Sequence, residues 1–297
     1  MFNSFSRFSK FLVSRVLTLD GTLCILFPNF ISIIEKSRMN FISCNGHVIH
    51  YRYINNNSDR TFLFINSLGT DFRIWEEVVV ELKVFGNILL YDKRGHGLSD
   101  LAKAKDGLKD YATDAGLLLE SLAIKNCIVI GISIGGMIAP ILAHEYPAVI
   151  KKLILCGAAN KIGNTQTWNE RIEQVKKDGL KAITATLMKR WFSPSFHEKY
   201  PERVAGCKNM VDRCDVEGYI QACEAIRDED ITDISNSLRI PTLCIVGSED
   251  QSVPPGDVRA LSQSITESKF EIINGSHHMT CIDNKEIFTK LILDFIS

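Results

Sequence analysis

From Phe41 onward the chain alternates short apolar runs with amphipathic segments of helical period, and no other feature restricts its fold so tightly. The runs VIHYRY (48–53), TFLFIN (61–66), NILLYD (87–92), NCIVIG (126–131) and KLILC (152–156) are each bounded by polar or glycine residues. Between them, roughly 72–83, 111–122 and 134–146 carry apolar residues at helical spacing. Strand, crossover helix and strand in succession build a mostly parallel sheet covered by helices. The pattern breaks between Gly157 and Asp230, where TWNERIEQVKKDG and DGLKAITATLMKRWF read as helices and no strand-like run occurs. Strands resume with PTLCIVG (241–247) and KFEII (269–273), and a helix near Lys285–Phe295 closes the chain. The expectation is an α/β core over 39–156 and 231–297, with a helical cap inserted over 157–230.

Residues 1–38 stand apart. They start basic and are rich in Phe, Leu and Ile, but Arg15, Asp20 and Pro28 interrupt every apolar run well short of the ~20 residues a membrane span needs. No apolar stretch is followed by a small-residue cleavage site, so the segment is expected to be an extension outside the fold, with no stable membrane insertion. Charge is balanced, with 34 basic and 35 acidic residues and a formal net charge of -1, which provides no electrostatic footprint for nucleic acid or an anionic membrane. The nine cysteines form no C-x-x-C pair, and Cys127, Cys156 and Cys244 sit inside apolar runs where a thiol packs as a small hydrophobe. Cys207, Cys214 and Cys223 share one segment, but no histidine lies at ligand spacing. A reduced, cytoplasmic protein without metal or cofactor is expected. Oligomeric state is not legible.

Chemistry enters where the run ending at Gly131 meets a helix. Gly131-Ile132-Ser133-Ile134-Gly135 fits G-x-S-x-G, in which small residues let strand and helix approach while the serine is raised on a sharp turn. The Ile134 N–H then lies at a helix N-terminus, where negative charge is favoured. A phosphate-binding turn fits poorly, because no lysine follows and the G-x-G-x-x-G spacing is absent. A serine hydroxyl needs a base to take its proton and a third group to orient that base. On such a fold the order is serine, acid, histidine. A carboxylate follows PTLCIVG as Glu249 or Asp250, and an imidazole follows the next strand as His277 or His278; the local sequence leaves both pairs open. Asn66-Ser67-Leu68-Gly69 follows TFLFI and makes Leu68 the candidate second oxyanion donor. His47, His50, His144 and His197 read as surface residues, and His96 as a residue stabilising its turn.

With those residues placed, the chain resembles an α/β-hydrolase from about Met39 to its end, and within that superfamily the 3-oxoadipate enol-lactonases. The carriers are NSLGTDFRIW (66–75), YDKRGHGLSD (91–100), GISIGGM (131–137), WNERI (168–172), AIRDEDI (225–231) and IPTLCIVGSEDQSVPP (240–255). The resemblance implies Asp250 as the acid, since it precedes Ser252-Val253-Pro254, and His278 as the base, five residues ahead of Asp283. It also implies a cofactor-independent Ser133–His278–Asp250 hydrolase that opens a small carboxylated enol-lactone. A general carboxylesterase, a perhydrolase-like relative or a ligand-binding receptor on the same fold are the alternatives. Pro140 departs from the glutamine usual in relatives and is expected to kink the helix after the serine. An arginine suits a substrate carboxylate, and the lactonase-like cap stretches supply Arg171 and Arg227. Arg227 is the preferred candidate, with Trp168 as an apolar wall.

Overall fold

The computed structural model describes residues 16–19, 22–25, 40–101 and 107–297, the first two segments as backbone only. Two units divide the chain, residues 1–40 and residues 41–297. In the first, β1 (Val16–Leu19) and β2 (Thr22–Ile25) pair antiparallel, a hairpin not anticipated from the sequence although Asp20-Gly21 separates the strands. The remainder of the expected 1–38 extension lies outside the described residues.

The second unit is built on an eight-stranded sheet. Its strands are β3 (Asn40–Cys44), β4 (His47–Ile54), β5 (Thr61–Ile65), β6 (Asn87–Tyr91), β7 (Cys127–Ile132), β8 (Ile150–Cys156), β9 (Thr242–Gly247) and β10 (Ser268–Ile273), in the order β10-β9-β8-β7-β5-β6-β4-β3. The stretch from Asn40 to Ile54 forms two strands, β3 and β4. Asn45 and Gly46 both take positive φ (51° and 77°) between them, the backbone that an Asn-Gly hairpin turn demands. Within this sheet the β4–β6 pairing is antiparallel, with Tyr51 opposite Tyr91. From β6 through β5, β7, β8 and β9 to β10 the strands run parallel. Every residue of β5, β6, β7 and β9 is buried, as expected of a parallel sheet covered on both faces.

The covering helices are α1 (Glu76–Leu82), α2 (Leu108–Ser121) and α3 (Ile134–Glu145), followed beyond β9 by α10 (Pro255–Ser264), α11 (Thr280–Asp283) and α12 (Lys285–Ile296). Within the span expected to be helical from 72, Phe72–Trp75 is a 3₁₀ turn capped by the Asp71 carboxylate, which accepts from the Arg73 N–H. Helix α3 runs through Pro140 without interruption. Between β8 and β9 the chain forms α4 (Thr165–Asp178), α5 (Lys181–Trp191), α6 (Pro194–Lys199), α7 (Pro201–Asp212), α8 (Val216–Asp228) and α9 (Thr232–Ser237). The insertion packs tightly on the turn after β6 through α8: a Cβ on Gly218 would run into the backbone of Gly95, and the reverse. Gly95 also has φ of 70°, so this seam requires glycine for both space and conformation. No helix among the described residues is long and apolar enough to cross a membrane.

Candidate active site

Ser133 sits between β7 and α3 with φ 57° and ψ −121°, a backbone conformation that costs a non-glycine residue on the order of 1–3 kcal/mol. The surroundings enforce it. The Ser133 N–H donates to the Cys156 carbonyl at 2.9 Å, and the Gly136 and Met137 N–H groups return to the Ser133 carbonyl at 2.8 and 3.2 Å. A Cβ at Gly131 would collide with the Gly135 carbonyl, and one at Gly135 with the Ile65 carbonyl. The two glycines that frame the serine are thus the points at which strand and helix touch. Ile134, the first residue of α3, has an N–H without an intrahelical acceptor.

Beyond β9 and β10 the structure separates the paired candidates. His278 Nδ1 lies 2.7 Å from Asp250 Oδ2, with side-chain exposures of 2% and 0%. Asp250 Oδ1 accepts from the Ser252 and Val253 N–H groups at 2.7 and 2.9 Å, so the turn into Ser252-Val253-Pro254 fixes the carboxylate. Glu249 is exposed and accepts from the Ser248 hydroxyl. His277 faces the other way: its N–H donates to Asp283 Oδ2 at 2.8 Å. Asp283 also accepts from the Ser193 hydroxyl at 2.7 Å, so it ties α11 to the helical insertion.

Ser133 and His278 line one cavity of about 180 Å3 together with Ser67 and Leu68 from the core and Trp168, Arg171, Arg190, Trp191 and Tyr219 from the insertion. Trp168 is anchored by its indole N–H donating to the Ile162 carbonyl at 2.7 Å, and the Arg171 guanidinium lies over its ring at 4.9 Å. Both are on α4, three positions apart, which puts them on one helix face. Arg227 is placed elsewhere. It forms a two-pronged pair with Asp228 at 2.7 and 2.8 Å and donates to the Asn169 side chain at 2.8 Å, and it is absent from the cavity lining. An adjacent carboxylate thus occupies the guanidinium of Arg227, the preferred candidate, and Arg171 is the one of the two arginines that lines the cavity.

Several groups escaped the sequence reading. The Tyr219 hydroxyl is buried without a hydrogen-bond partner; burial holds its pKa above the usual phenol value, and the nearby Arg171 charge acts in the opposite direction. His47 and His50 are buried rather than on the surface. His50 Nδ1 lies 2.8 Å from Asp92 Oδ2, and Asp92 also accepts from the Phe72 and Leu98 N–H groups. His144 is exposed and His197 partly so. His96 is fully buried, and its Nε2 accepts from the Gly69 N–H at 3.0 Å while Nδ1 faces the Arg94 carbonyl at 3.1 Å. Desolvation, helped by the Lys93 charge, keeps this imidazole well below its ordinary pKa, which agrees with a neutral ring that donates from Nδ1 and accepts at Nε2. The described cysteines are free thiols. Among the described residues no group of three His, Cys, Asp or Glu side chains could hold a metal.

A parallel sheet with a serine elbow after a central strand, and a carboxylate and an imidazole joined after two later strands, is the layout of an α/β-hydrolase. Residues 57–285 match the family profile Hydrolase_4, described as "Serine aminopeptidase, S33". The 3-oxoadipate enol-lactonase 2 of Acinetobacter baylyi is 33% identical over 215 residues, 72% of this chain and 80% of that protein. The 3-oxoadipate enol-lactonase 1 of the same organism is 32% identical over 234 residues, 79% of this chain and 87% of that protein. A crystal structure of the enol-lactonase from Burkholderia xenovorans LB400 superimposes with a TM-score of 0.84 at 29% identity, covering 86% of this chain and 99% of that one. The chain belongs to the α/β-hydrolases, in the family that includes the 3-oxoadipate enol-lactonases.

Proposed function

We propose that this hydrolase opens a small carboxylated enol-lactone, 3-oxoadipate enol-lactone to 3-oxoadipate, a step of aromatic catabolism, using Ser133, His278 and Asp250. The observation that carries the reading is the composition of one cavity, where Ser133, His278 and Leu68 meet Arg171. Ester chemistry and a fixed cation suited to a carboxylate therefore share a space of small-molecule size.

Ser133 Oγ attacks the lactone carbonyl carbon as His278 Nε2 takes its proton. Asp250 accepts from Nδ1–H, which holds the tautomer and stabilises the imidazolium that forms. Negative charge developing on the carbonyl oxygen is met by the Leu68 and Ile134 N–H groups; removing one such donor typically costs roughly a hundred- to a thousandfold. The ring C–O bond breaks, the enol oxygen takes the proton from His278, and the enol tautomerises to the ketone. Water, deprotonated by the same imidazole, then attacks the acyl-serine and releases the second carboxylate.

None of these groups senses the carboxylate the lactone already bears. Arg171, with the Tyr219 hydroxyl beside it, supplies charged and neutral donors for it from the insertion. In this reading the insertion over 157–230 is the cap that roofs the site. The test is turnover of the purified protein on the enol-lactone beside a neutral nitrophenyl ester. A kcat/KM preference of roughly ten- to a hundredfold for the lactone is expected from a charged, partly buried pair. Equal rates on both would point to a general carboxylesterase, and stoichiometric binding without turnover to a receptor.

A further inference from the structure

We propose that Lys93 is a positioning residue for the oxyanion site: its ammonium grips the Ser67 carbonyl from behind and sets the Ser67–Leu68 peptide so that the Leu68 N–H faces the cavity. This rests on the roles proposed above for Ser133 and Leu68. Lys93 follows β6 and is 1% exposed. Its Nζ donates to the Ser67 carbonyl at 2.6 Å and reaches the Thr70 carbonyl at 3.5 Å. Both acceptors belong to the loop that carries Leu68.

The Ser67 carbonyl and the Leu68 N–H belong to the same peptide unit. None of the described peptide bonds is cis, and across a trans peptide the C=O and N–H point in opposite directions. A lysine holding the oxygen therefore turns the hydrogen away from itself. Ser67 and Leu68 line the cavity and Lys93 does not. No hydrogen bond among the described residues uses the Leu68 N–H, whereas the neighbouring Gly69 N–H is taken by His96 Nε2 at 3.0 Å. Lys93 and His96, both on the turn after β6, thus secure the peptides on either side of Leu68 and leave its own donor for the substrate. A cation on the carbonyl oxygen also polarises the peptide and strengthens the opposite N–H as a donor.

Packing alone gives no reason for a charge here. Asp92 is bound to His50 and to the Phe72 and Leu98 N–H groups, and Asp71 to Arg73, so neither carboxylate bonds Lys93. Asp92 and Asp71 are the groups whose charges favour the ammonium; the Cys214 thiol of the insertion, pushed up to about 12 by burial, is neutral beside it, and His96 lies across the same turn. Burial outweighs them and brings Lys93 down to about 7. The ammonium is present below that pH and lost above it, so kcat should fall as pH rises through this range.

The experiment is kcat and KM against pH on a neutral nitrophenyl ester for the wild type, Lys93→Met and Lys93→Arg, with melting temperatures alongside. Lys93→Met is expected to lower kcat roughly ten- to a hundredfold with KM within about twofold, to abolish the alkaline limb, and to leave the melting temperature unchanged or raised, because a desolvated charge is removed. Lys93→Arg, charged throughout, should retain more kcat than Lys93→Met. A Lys93→Met enzyme with wild-type kcat, or one that keeps the alkaline limb, overturns the proposal. If that variant does not fold, Lys93→Leu, which likewise offers the Ser67 carbonyl no donor, is read in the same way. Ser133→Ala separates the two levels: activity surviving in it would remove the underlying mechanism, whereas a dead Ser133→Ala beside an unaffected Lys93→Met removes this inference alone.

Discussion

The core and the helical insertion both contribute side chains to one cavity, but they hold them by different means. In the core, Leu68, Ser133, Asp250 and His278 each follow a strand, β5, β7, β9 and β10 respectively. Backbone hydrogen bonds fix them there, such as the two N–H groups on Asp250 Oδ1. In the insertion, Trp168 and Arg171 lie on α4, Trp191 on α5 and Tyr219 on α8, presented by helix faces that pack side chain against side chain. Strand ends in a parallel sheet converge by construction, so chemistry located there tolerates changes in the roof above it. Helix faces can be repacked without disturbing the sheet. In the proposed function, mechanism and selectivity are thereby assigned to separable parts of the chain.

If that separation holds, the largest effects come from the core and ignore the substrate. Ser133→Ala and His278→Ala should each lower kcat by several orders of magnitude on lactone and neutral ester alike, with melting curves unchanged, because such residues act as a unit. His277→Ala should cost less than about twofold, since its ring does not engage Asp250. A substrate-dependent loss in Ser133→Ala would break the comparison at its root.

The difference in legibility between the two regions follows from the same geometry. Around Ser133 the pattern is local: an apolar strand, a small-residue turn and a helix occur in one stretch of chain, and steric collisions at Gly131 and Gly135 leave few other residues possible. The choice of Asp250 over Glu249, or of His278 over His277, has no local signal, because it depends on which side chains meet across two strands 28 residues apart. Arg171 and Arg227 show the limit more clearly. Both look equally suited to a carboxylate in the sequence, and only the fold reveals that Asp228 and Asn169 occupy Arg227. The Asn45-Gly46 hairpin was available from its dipeptide, a pair suited to the positive φ found at both positions. Lys93 and the His50–Asp92 pair lacked any such signal, since polar residues on a turn are normally solvated and here are buried by the insertion and neighbouring loops.

Two changes of intermediate size sharpen the boundary. Arg171→Ala should reduce lactone kcat/KM roughly ten- to a hundredfold, the loss of a charge-assisted pair, and spare the neutral ester. Equal losses on both substrates would mean that the arginine supports the Trp168 wall instead. Gly218→Ala tests the seam. Its new methyl group must displace the Gly95 backbone, an overpacking that typically costs about 1–3 kcal/mol. A lowered melting temperature is expected, together with weakened activity on both substrates, because the Gly95 turn also carries His96, which holds the oxyanion loop at Gly69.

The smallest expected effect belongs to Arg227. The Arg227 side chain is 15% exposed and that of Asp228 48% exposed, so the pair is partly screened, and neighbouring residues on one helix end gain little from each other. Surface pairs of this kind contribute about 0–1 kcal/mol, and the bond to the Asn169 side chain adds a tie between α8 and α4. Arg227→Ala should therefore lower the unfolding free energy by no more than about 1 kcal/mol and change lactone kcat/KM by less than about twofold, which a denaturation curve and a lactone assay would read together. A selective loss of lactone turnover at this position, with the neutral ester unaffected, would mean that the guanidinium leaves Asp228 when substrate arrives. Carboxylate recognition would then extend along both α4 and α8 instead of resting on Arg171.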